Sequence, residues 1–179
     1  MAMTCYRGDI ATPLGRMIAI VDAGGALLRL DFDDDNRQRR SDDLIEQAQP
    51  DSGAIAPVAD QLGQYFAGQR RTFDLPLAPI GNAFLQSAWA RLIQVPYGTV
   101  ATYGELAQQL GTAPRAYGRA NAINPISIII PCHRIIGANG KLTGYSGGLQ
   151  RKAALLALEQ GAAEGRGQHL VPRHLLSNN

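Results

Sequence analysis

Leu75-Pro76-Leu77-Ala78-Pro79-Ile80-Gly81 divides the chain. Two prolines and a glycine in one short run break any regular element, and the charge changes sign across them. Residues 1–80 hold 8 Arg/Lys and 12 Asp/Glu, a balance of −4; residues 81–179 hold 9 and 3, a balance of +6, and the two sum to the chain's +2. The run reads as a linker over 77–82. It separates an N-terminal domain over 1–76 from a C-terminal domain over 83–161, with a tail over 162–179. A chain of 179 residues is long enough for two small domains with real cores.

Upstream of the linker the pattern is that of short strands and turns. Arg16 to Val21 is apolar and β-branched, Asp22-Ala23-Gly24-Gly25 breaks it, and Ala26 to Phe32 resumes it, which predicts a hairpin. Asp33 to Arg40 reads as a charged, exposed loop. A short helix is expected over Leu44–Gln49 and a longer one over Pro57–Ala67, with Val58, Leu62, Tyr65 and Phe66 at helical spacing.

Downstream the period becomes helical. Phe84, Ala88, Leu92 and Val95 line one face, widened by Trp89 and Ile93, of a helix that ends before Pro96. Thr102-Tyr103-Gly104-Glu105 is a capping box opening a helix to Leu110, stopped by Gly111. A second short helix starts near Pro114-Arg115 and runs to about Ile123. Two short helices joined by a glycine turn in a basic half fit a helix-turn-helix, and the basic half itself suits a polyanion. Ile126 to Ile130 reads as a β-like run into Pro131-Cys132-His133-Arg134, Ala138-Asn139-Gly140 as a turn, and Leu149–Gln160 as a last helix. That helix carries Leu155, Leu156 and Leu158 and is capped by Gly161.

The bulk numbers exclude several classes. Hydrophobic residues make up 45% and charged residues 18%, as in ordinary globular proteins. No apolar run approaches a membrane span, and the first residues lack a signal-peptide core, so the expectation is an intracellular, cytoplasmic protein with no membrane partner. Cys5 and Cys132 lack CxxC spacing. With His133, His169 and His174 they form no clustered ligand pairs, so no metal is expected; no cofactor is expected either.

Cys132 and Pro131 follow the five residues 126–130, of which four are isoleucine, which predicts a buried thiol at the end of a core strand. On these residues alone two readings stand: an inert structural cysteine, or a reactive thiol assisted by His133 and Arg134. On a strand His133 would face away from Cys132, so coupling would need a tight turn or an intervening water. Glu159, a lone acid late in the last helix, opposes the helix dipole and needs solvent or a partner such as a histidine.

Asn124-Pro125, the isoleucine run, Pro131-Cys132-His133-Arg134 and Tyr145-Ser146-Gly147-Gly148 together resemble the O6-alkylguanine-DNA alkyltransferases (methylated-DNA–protein-cysteine methyltransferases). The resemblance runs from about Phe84 to Glu159. It extends more loosely to Ala11-Thr12-Pro13-Leu14-Gly15 and Tyr65-Phe66-Ala67-Gly68. It implies an α+β fold: a small ribonuclease H-like N-terminal domain with a short antiparallel sheet and helices, linked to a mostly helical domain with a helix-turn-helix.

The same resemblance implies the roles. Cys132 is the single-use acceptor of an alkyl group from O6 of guanine, methyl and larger, and of O4 of thymine. His133 draws off its proton through a water, and Glu159 orients His133. Tyr103 crowds a phosphate and donates a proton to guanine N3. Arg115 fills the gap left by the flipped nucleotide, and Arg119 adds a phosphate contact. Asn124 ties the active-site turn to the helix-turn-helix. Tyr145, Ser146 and Gly147 form the pocket loop, and the carbonyls of Cys132 and Ile135 read the exocyclic amine. The implied partner is double-stranded DNA containing O6-alkylguanine, bound by a monomer and with cooperativity open.

The chain departs from the family pattern in two places. Asn82-Ala83-Phe84-Leu85 stands where Thr-Pro-Phe-Gln is usual, and Pro114, Tyr117 and Arg119 stand where smaller residues are common. A lesion binder without transfer, a helix-turn-helix regulator and a cysteine hydrolase are the competing readings. The first lacks an acceptor cysteine, the second expects an additional N-terminal domain, and the third would turn over through acyl intermediates.

Overall fold

The computed structural model describes residues 3–33 and 43–164, with the side chains of 162–164 excepted. Most of the Asp33–Arg40 loop, His169, His174 and the tail from 165 onward lie outside the described residues. The chain forms two compact units: Met1–Ile80 with Pro125–Ser127, and Gly81–Asn124 with Ile128–Asn179.

The first unit is built on a four-stranded sheet in the order β3-β2-β1-β4. β1 (Cys5–Thr12) and β2 (Gly15–Asp22) pair antiparallel across a two-residue turn, and β3 (Leu27–Phe32) pairs antiparallel with β2, with a register shift between Ile20 and Val21. The sheet is not purely antiparallel, because β4 (Gln49–Pro50) runs parallel to β1. The anticipated helix over Leu44–Gln49 is one turn, α1 (Asp43–Gln47), and its last residue belongs to β4. Met17, Ala19, Ile20, Val21, Leu27 and Leu30 are buried almost completely. α2 (Ala56–Phe66) buries Val58, Leu62 and Tyr65, one stripe at helical spacing.

β1 has no counterpart in the sequence reading. Gly8 and Asp9 interrupt its apolar alternation, and only Cys5 and Ile10 are buried; β2 recruits it by pairing along its full length rather than by its own pattern. Two further segments align with β3 inside this unit. Leu27 N–H donates to the Pro76 carbonyl at 2.8 Å and the Leu27 carbonyl accepts from Ala78 N–H at 2.9 Å. Leu30 N–H donates to the Pro125 carbonyl at 2.9 Å and its carbonyl accepts from Ser127 N–H at 2.8 Å. The Pro-rich run thus satisfies its backbone on a strand edge.

The second unit is helical. α3 (Ala83–Ile93) is N-capped by Asn82, whose side chain accepts from Leu85 N–H at 3.0 Å; the unusual Asn82-Ala83 start keeps a working cap. Its buried stripe is Ala88, Trp89 and Leu92, whereas Phe84 and Ile93, expected inside, are 38% and 48% exposed. Ile93 lies about 100° round the axis from Leu92, beyond the width of the stripe. Gly81 meets this helix closely: a Cβ there would come within 2.7 Å of the Trp89 ring.

β5 (Ala101–Thr102) leads into α4 (Tyr103–Gln109), where both halves of the Thr102/Glu105 capping box are formed. Gly111 (φ 63°) closes α4 in the left-handed region, with Gly111 N–H donating to Gln108 and Thr112 N–H to Ala107. α5 (Pro114–Ala122) follows with proline in its first turn. Two hydrogen bonds fix α5 to α3: Trp89 Nε1–H to the Ala120 carbonyl at 3.0 Å, and the Tyr117 hydroxyl to the Ala88 carbonyl at 2.9 Å. α6 (Leu149–Glu164) passes through Gly161, which is therefore interior to the helix and not its cap.

Candidate active site

The segment from Ile126 to Ile130 is not a strand. Only Ile126 makes an isolated bridge, to Leu30, and Ser127–Ile129 turn. Ile128 has φ 72° while 1% exposed. A β-branched residue in the left-handed region is strained, and such strain persists only where surrounding packing imposes it.

The turn delivers the chain into one turn of 3-10 helix, Cys132–Arg134, and then β6 (Ile135–Ile136), which pairs parallel with β5. A strand would have set His133 opposite Cys132. At three residues per turn the three side chains instead fan out in three directions, all buried: Cys132 at 1%, His133 at 0% and Arg134 at 5% exposure. The tight turn that coupling required is present.

α6 presents Lys152, Leu155, Leu156 and Glu159 on its buried face, the i, i+3, i+4, i+7 positions of one stripe. Glu159 is fully buried and is held by His133, Arg134 and the Gly98 amide. His133 Nε2 lies 2.8 Å from Oε1; Arg134 donates from Nη2 to Oε1 and from Nε to Oε2, each at 2.9 Å; Gly98 N–H reaches Oε2 at 3.2 Å. Burial alone would raise the carboxyl, but the hydrogen bonds and charges of His133 and Arg134 bring it down to about 2. Burial pushes His133 below the ordinary imidazole value; Glu159 opposes this, while Arg134 and Lys152 add to it. His133 Nδ1 is buried without a hydrogen-bond partner among the described residues.

Arg134 is held in turn by donation from Nη1 to the Val95 carbonyl at 2.6 Å, with its guanidinium 5.7 Å from the centre of the Tyr97 ring. Lys152, fully buried, donates from Nζ to the carbonyls of Ile135 and, at 2.7 Å, Thr143. Burial lowers its pKa to about 8, against an opposing pull from Cys132. Sequence reading missed both roles. For Lys152 the signal was available in its spacing, seven residues before Glu159 and three and four before Leu155 and Leu156.

Tyr103, the first residue of α4, directs its hydroxyl to the carbonyls of Thr143 (3.3 Å) and Gly144 (3.4 Å). Burial first, and the neighbouring Cys132 as well, raise its pKa against hydrogen bonds with Thr143 and Asn121, so it remains a proton-bearing hydroxyl at neutral pH. Asn124 donates from Nδ2 to the Ile130 carbonyl at 2.8 Å, joining the end of α5 to the segment before Cys132. Cys132, His133, Arg134, Lys152, Glu159 and Tyr103 therefore converge. Ile135 enters this group through its carbonyl, which accepts from Lys152.

In the loop after Thr143, Tyr145 and Gly147 are buried and Ser146 is exposed, with Arg151 donating to the Gly147 carbonyl at 3.1 Å. Arg115 and Arg119 stand apart from the buried group. Both are exposed on α5, four residues apart and so on one face.

Two family models match the chain: the 6-O-methylguanine DNA methyltransferase ribonuclease-like domain over residues 5–79, and the DNA-binding domain of the same family over residues 83–161. A methylated-DNA–protein-cysteine methyltransferase of Mycobacterium bovis is 53% identical over 116 residues, covering 64% of this chain and 70% of that protein. One from Methanosarcina mazei is 41% identical over 157 residues, covering 87% and 97%. The crystal structure of Mycobacterium tuberculosis OGT in complex with DNA superposes with a TM-score of 0.78 at 40% identity, covering 96% of this chain and 98% of that one.

Proposed function

The chain belongs to the 6-O-methylguanine DNA methyltransferase family, whose members transfer the alkyl group of methylated DNA to a protein cysteine, and from that membership we propose that Cys132 is the acceptor. The observation that carries this reading is the pair His133–Glu159, buried at 2.8 Å, with the His133 Nδ1 unpartnered in the residue next to the buried thiol. In this reading Cys132 is the nucleophile, His133 its base and Glu159 the acid that orients the base.

The proton of the Cys132 thiol passes through a bound water to His133 Nδ1. The thiolate then displaces guanine at the alkyl carbon: an S–C bond forms, the C–O6 bond breaks, and the electron pair leaves with the base. Tyr103 donates its proton at guanine N3 to neutralise the departing base. The thioether has no hydrolytic exit, so each molecule reacts once.

Because Cys132 is 1% exposed, a lesion stacked in duplex DNA reaches it only after the nucleotide rotates out. Arg115, exposed on α5, fills the gap left behind, and Arg119 and Tyr103 contact the flanking phosphates. Asn124 couples α5 to the segment leading into Cys132. Tyr145, Ser146 and Gly147, with the carbonyls of Cys132 and Ile135, form the base pocket. It takes methyl and larger groups on guanine O6 and, by the same displacement, on thymine O4. The domain division at 77–82, action as a monomer and a cytoplasmic location complete the proposal; among the described residues no helix is long and apolar enough to cross a membrane.

Incubation of the protein with duplex DNA carrying one O6-methylguanine tests the reading. Intact-mass and peptide spectra are expected to show one added CH2 on Cys132 and unmodified guanine in the DNA. Transfer by the Cys132→Ser protein, or catalytic turnover beyond one equivalent, overturns it.

A further inference from the structure

The hydrogen bonds around Glu159 constrain more than its own charge. Arg134 and the Gly98 amide are donors only, and together they occupy both carboxylate oxygens. Among these neighbours only His133 Nε2 could take a carboxyl proton, and the guanidinium charge paired with both oxygens holds the group ionised instead. Across its 2.8 Å contact with Oε1, His133 Nε2 is then an N–H donor. In a neutral imidazole that leaves the lone pair on Nδ1.

We propose that Arg134 is a positioning residue for the transfer reaction: by pairing permanently with Glu159 it leaves His133 neutral, with its proton on Nε2 and Nδ1 free to accept. The proposal rests on the reading of His133 as the base for Cys132. A buried carboxylate needs a counter-charge, and two groups are placed to supply it. If His133 supplied it, the ring would be an imidazolium, both nitrogens would carry protons and the base would be lost. Arginine stays protonated at any working pH and meets a carboxylate through two parallel bonds. The bond from Nη1 to the Val95 carbonyl and the Tyr97 ring fix the guanidinium in that geometry.

The charged groups facing His133 come from two elements. Arg134 belongs to its own turn, and Glu159 and Lys152 project from α6. With Arg134 committed to Glu159, Lys152 is the other buried cation among the described residues, and it favours neutral His133 as well. The 3-10 turn supplies acceptor, base and counter-ion holder from three successive residues, Cys132, His133 and Arg134.

The direct test is nitrogen NMR on the full-length protein with labelled histidine at pH 7. His133 is expected as a neutral ring with a protonated Nε2 and a pyridine-like Nδ1; an imidazolium, or the opposite tautomer, overturns the proposal. Arg134→Lys and Arg134→Met then report through the pH profile of single-turnover reaction with free O6-benzylguanine. Arg134→Met is expected to lose about tenfold or more in rate at pH 7.5 and to move the acid limb upward by about one pH unit. Arg134→Lys, which keeps the charge, should keep the wild-type limb. A Met variant that is merely slower, with the limb unmoved, makes Arg134 structural only. If Arg134→Met does not fold, the Lys variant's limb and the wild-type tautomer decide. Failure of the underlying reading is separate: it would show as His133→Ala reacting at Cys132 with the wild-type profile.

Discussion

Lys152 Nζ donates to the Thr143 carbonyl at 2.7 Å, and the same carbonyl receives the Tyr103 hydroxyl at 3.3 Å. A buried cation of α6 and the first residue of α4 thus hold one atom of the loop that precedes Tyr145. Lys152 also holds the Ile135 carbonyl, so one ammonium joins two backbone segments next to Cys132.

Lys152→Met is expected to slow reaction with free O6-benzylguanine by about tenfold or more, since the Ile135 and Thr143 carbonyls lose the ammonium that joins them. The titration has a definite sign. Its pKa is about 8 in the folded protein against an ordinary 10.5, so its contribution to stability is present above 10.5 and is lost as pH falls to 8. Wild-type urea midpoints should therefore rise relative to those of Lys152→Met between about pH 8 and pH 10, by up to about 3 kcal/mol. Parallel curves for the two proteins would contradict the assignment.

Glu159 gives the complementary effect in acid. Its carboxyl sits at about 2 when folded and at an ordinary 4.5 otherwise, so the stability it adds is full above 4.5 and drains as pH falls towards 2. The gap corresponds to about 3 kcal/mol. Glu159→Gln should be less stable at neutral pH, because Arg134 loses its partner, but should show a flatter urea midpoint between about pH 5 and pH 2.5. His133, also lowered on folding, contributes its own loss below 6.5 in both proteins. An equally steep fall in the variant would place the acid sensitivity elsewhere.

Arg115 is exposed on α5, whereas the side chains of Cys132, His133 and Glu159 are buried. Arg115→Ala should therefore reduce repair of O6-methylguanine in duplex DNA by about tenfold or more while leaving reaction with free O6-benzylguanine within about twofold. Single-turnover rates on the two substrates separate the effects. Equal losses on both would remove Arg115 from the DNA interface.

Tyr117 is spent on holding α5. Its hydroxyl satisfies the Ala88 carbonyl at 2.9 Å from a fully buried position. Tyr117→Phe removes this second bond to a carbonyl that α3 already engages and should cost about 1 kcal/mol in urea denaturation, with faster amide exchange along α5. A stability change below about 0.5 kcal/mol would mean that the Trp89–Ala120 bond alone secures the helix.

Local chemistry made much of this molecule readable from the sequence. The β2–β3 hairpin follows from alternation broken by Asp22-Ala23-Gly24-Gly25. The start of α4 follows from Thr102 and Glu105, its end from Gly111, and the start of α5 from Pro114; each is decided within a few residues. The charge balance reverses near Gly81, where the second unit begins, and Pro131-Cys132-His133-Arg134 with Tyr145-Ser146-Gly147-Gly148 marks the family.

Other features needed neighbours distant in sequence. β1 exists because β2 pairs with it, and Phe84 and Ile93 lie outside because the buried stripe of α3 is narrower than its apolar pattern. The isoleucine run suggests a strand, yet Ile128 adopts φ 72° and the chain turns, placing Cys132, His133 and Arg134 round one helical turn. Sequence determined which groups are present: a thiol, an imidazole, a guanidinium and a lone late acid. Tertiary structure decided their charges and directions, because a buried carboxylate takes its state from whichever donors the packing brings to it, here Arg134, Gly98 and His133.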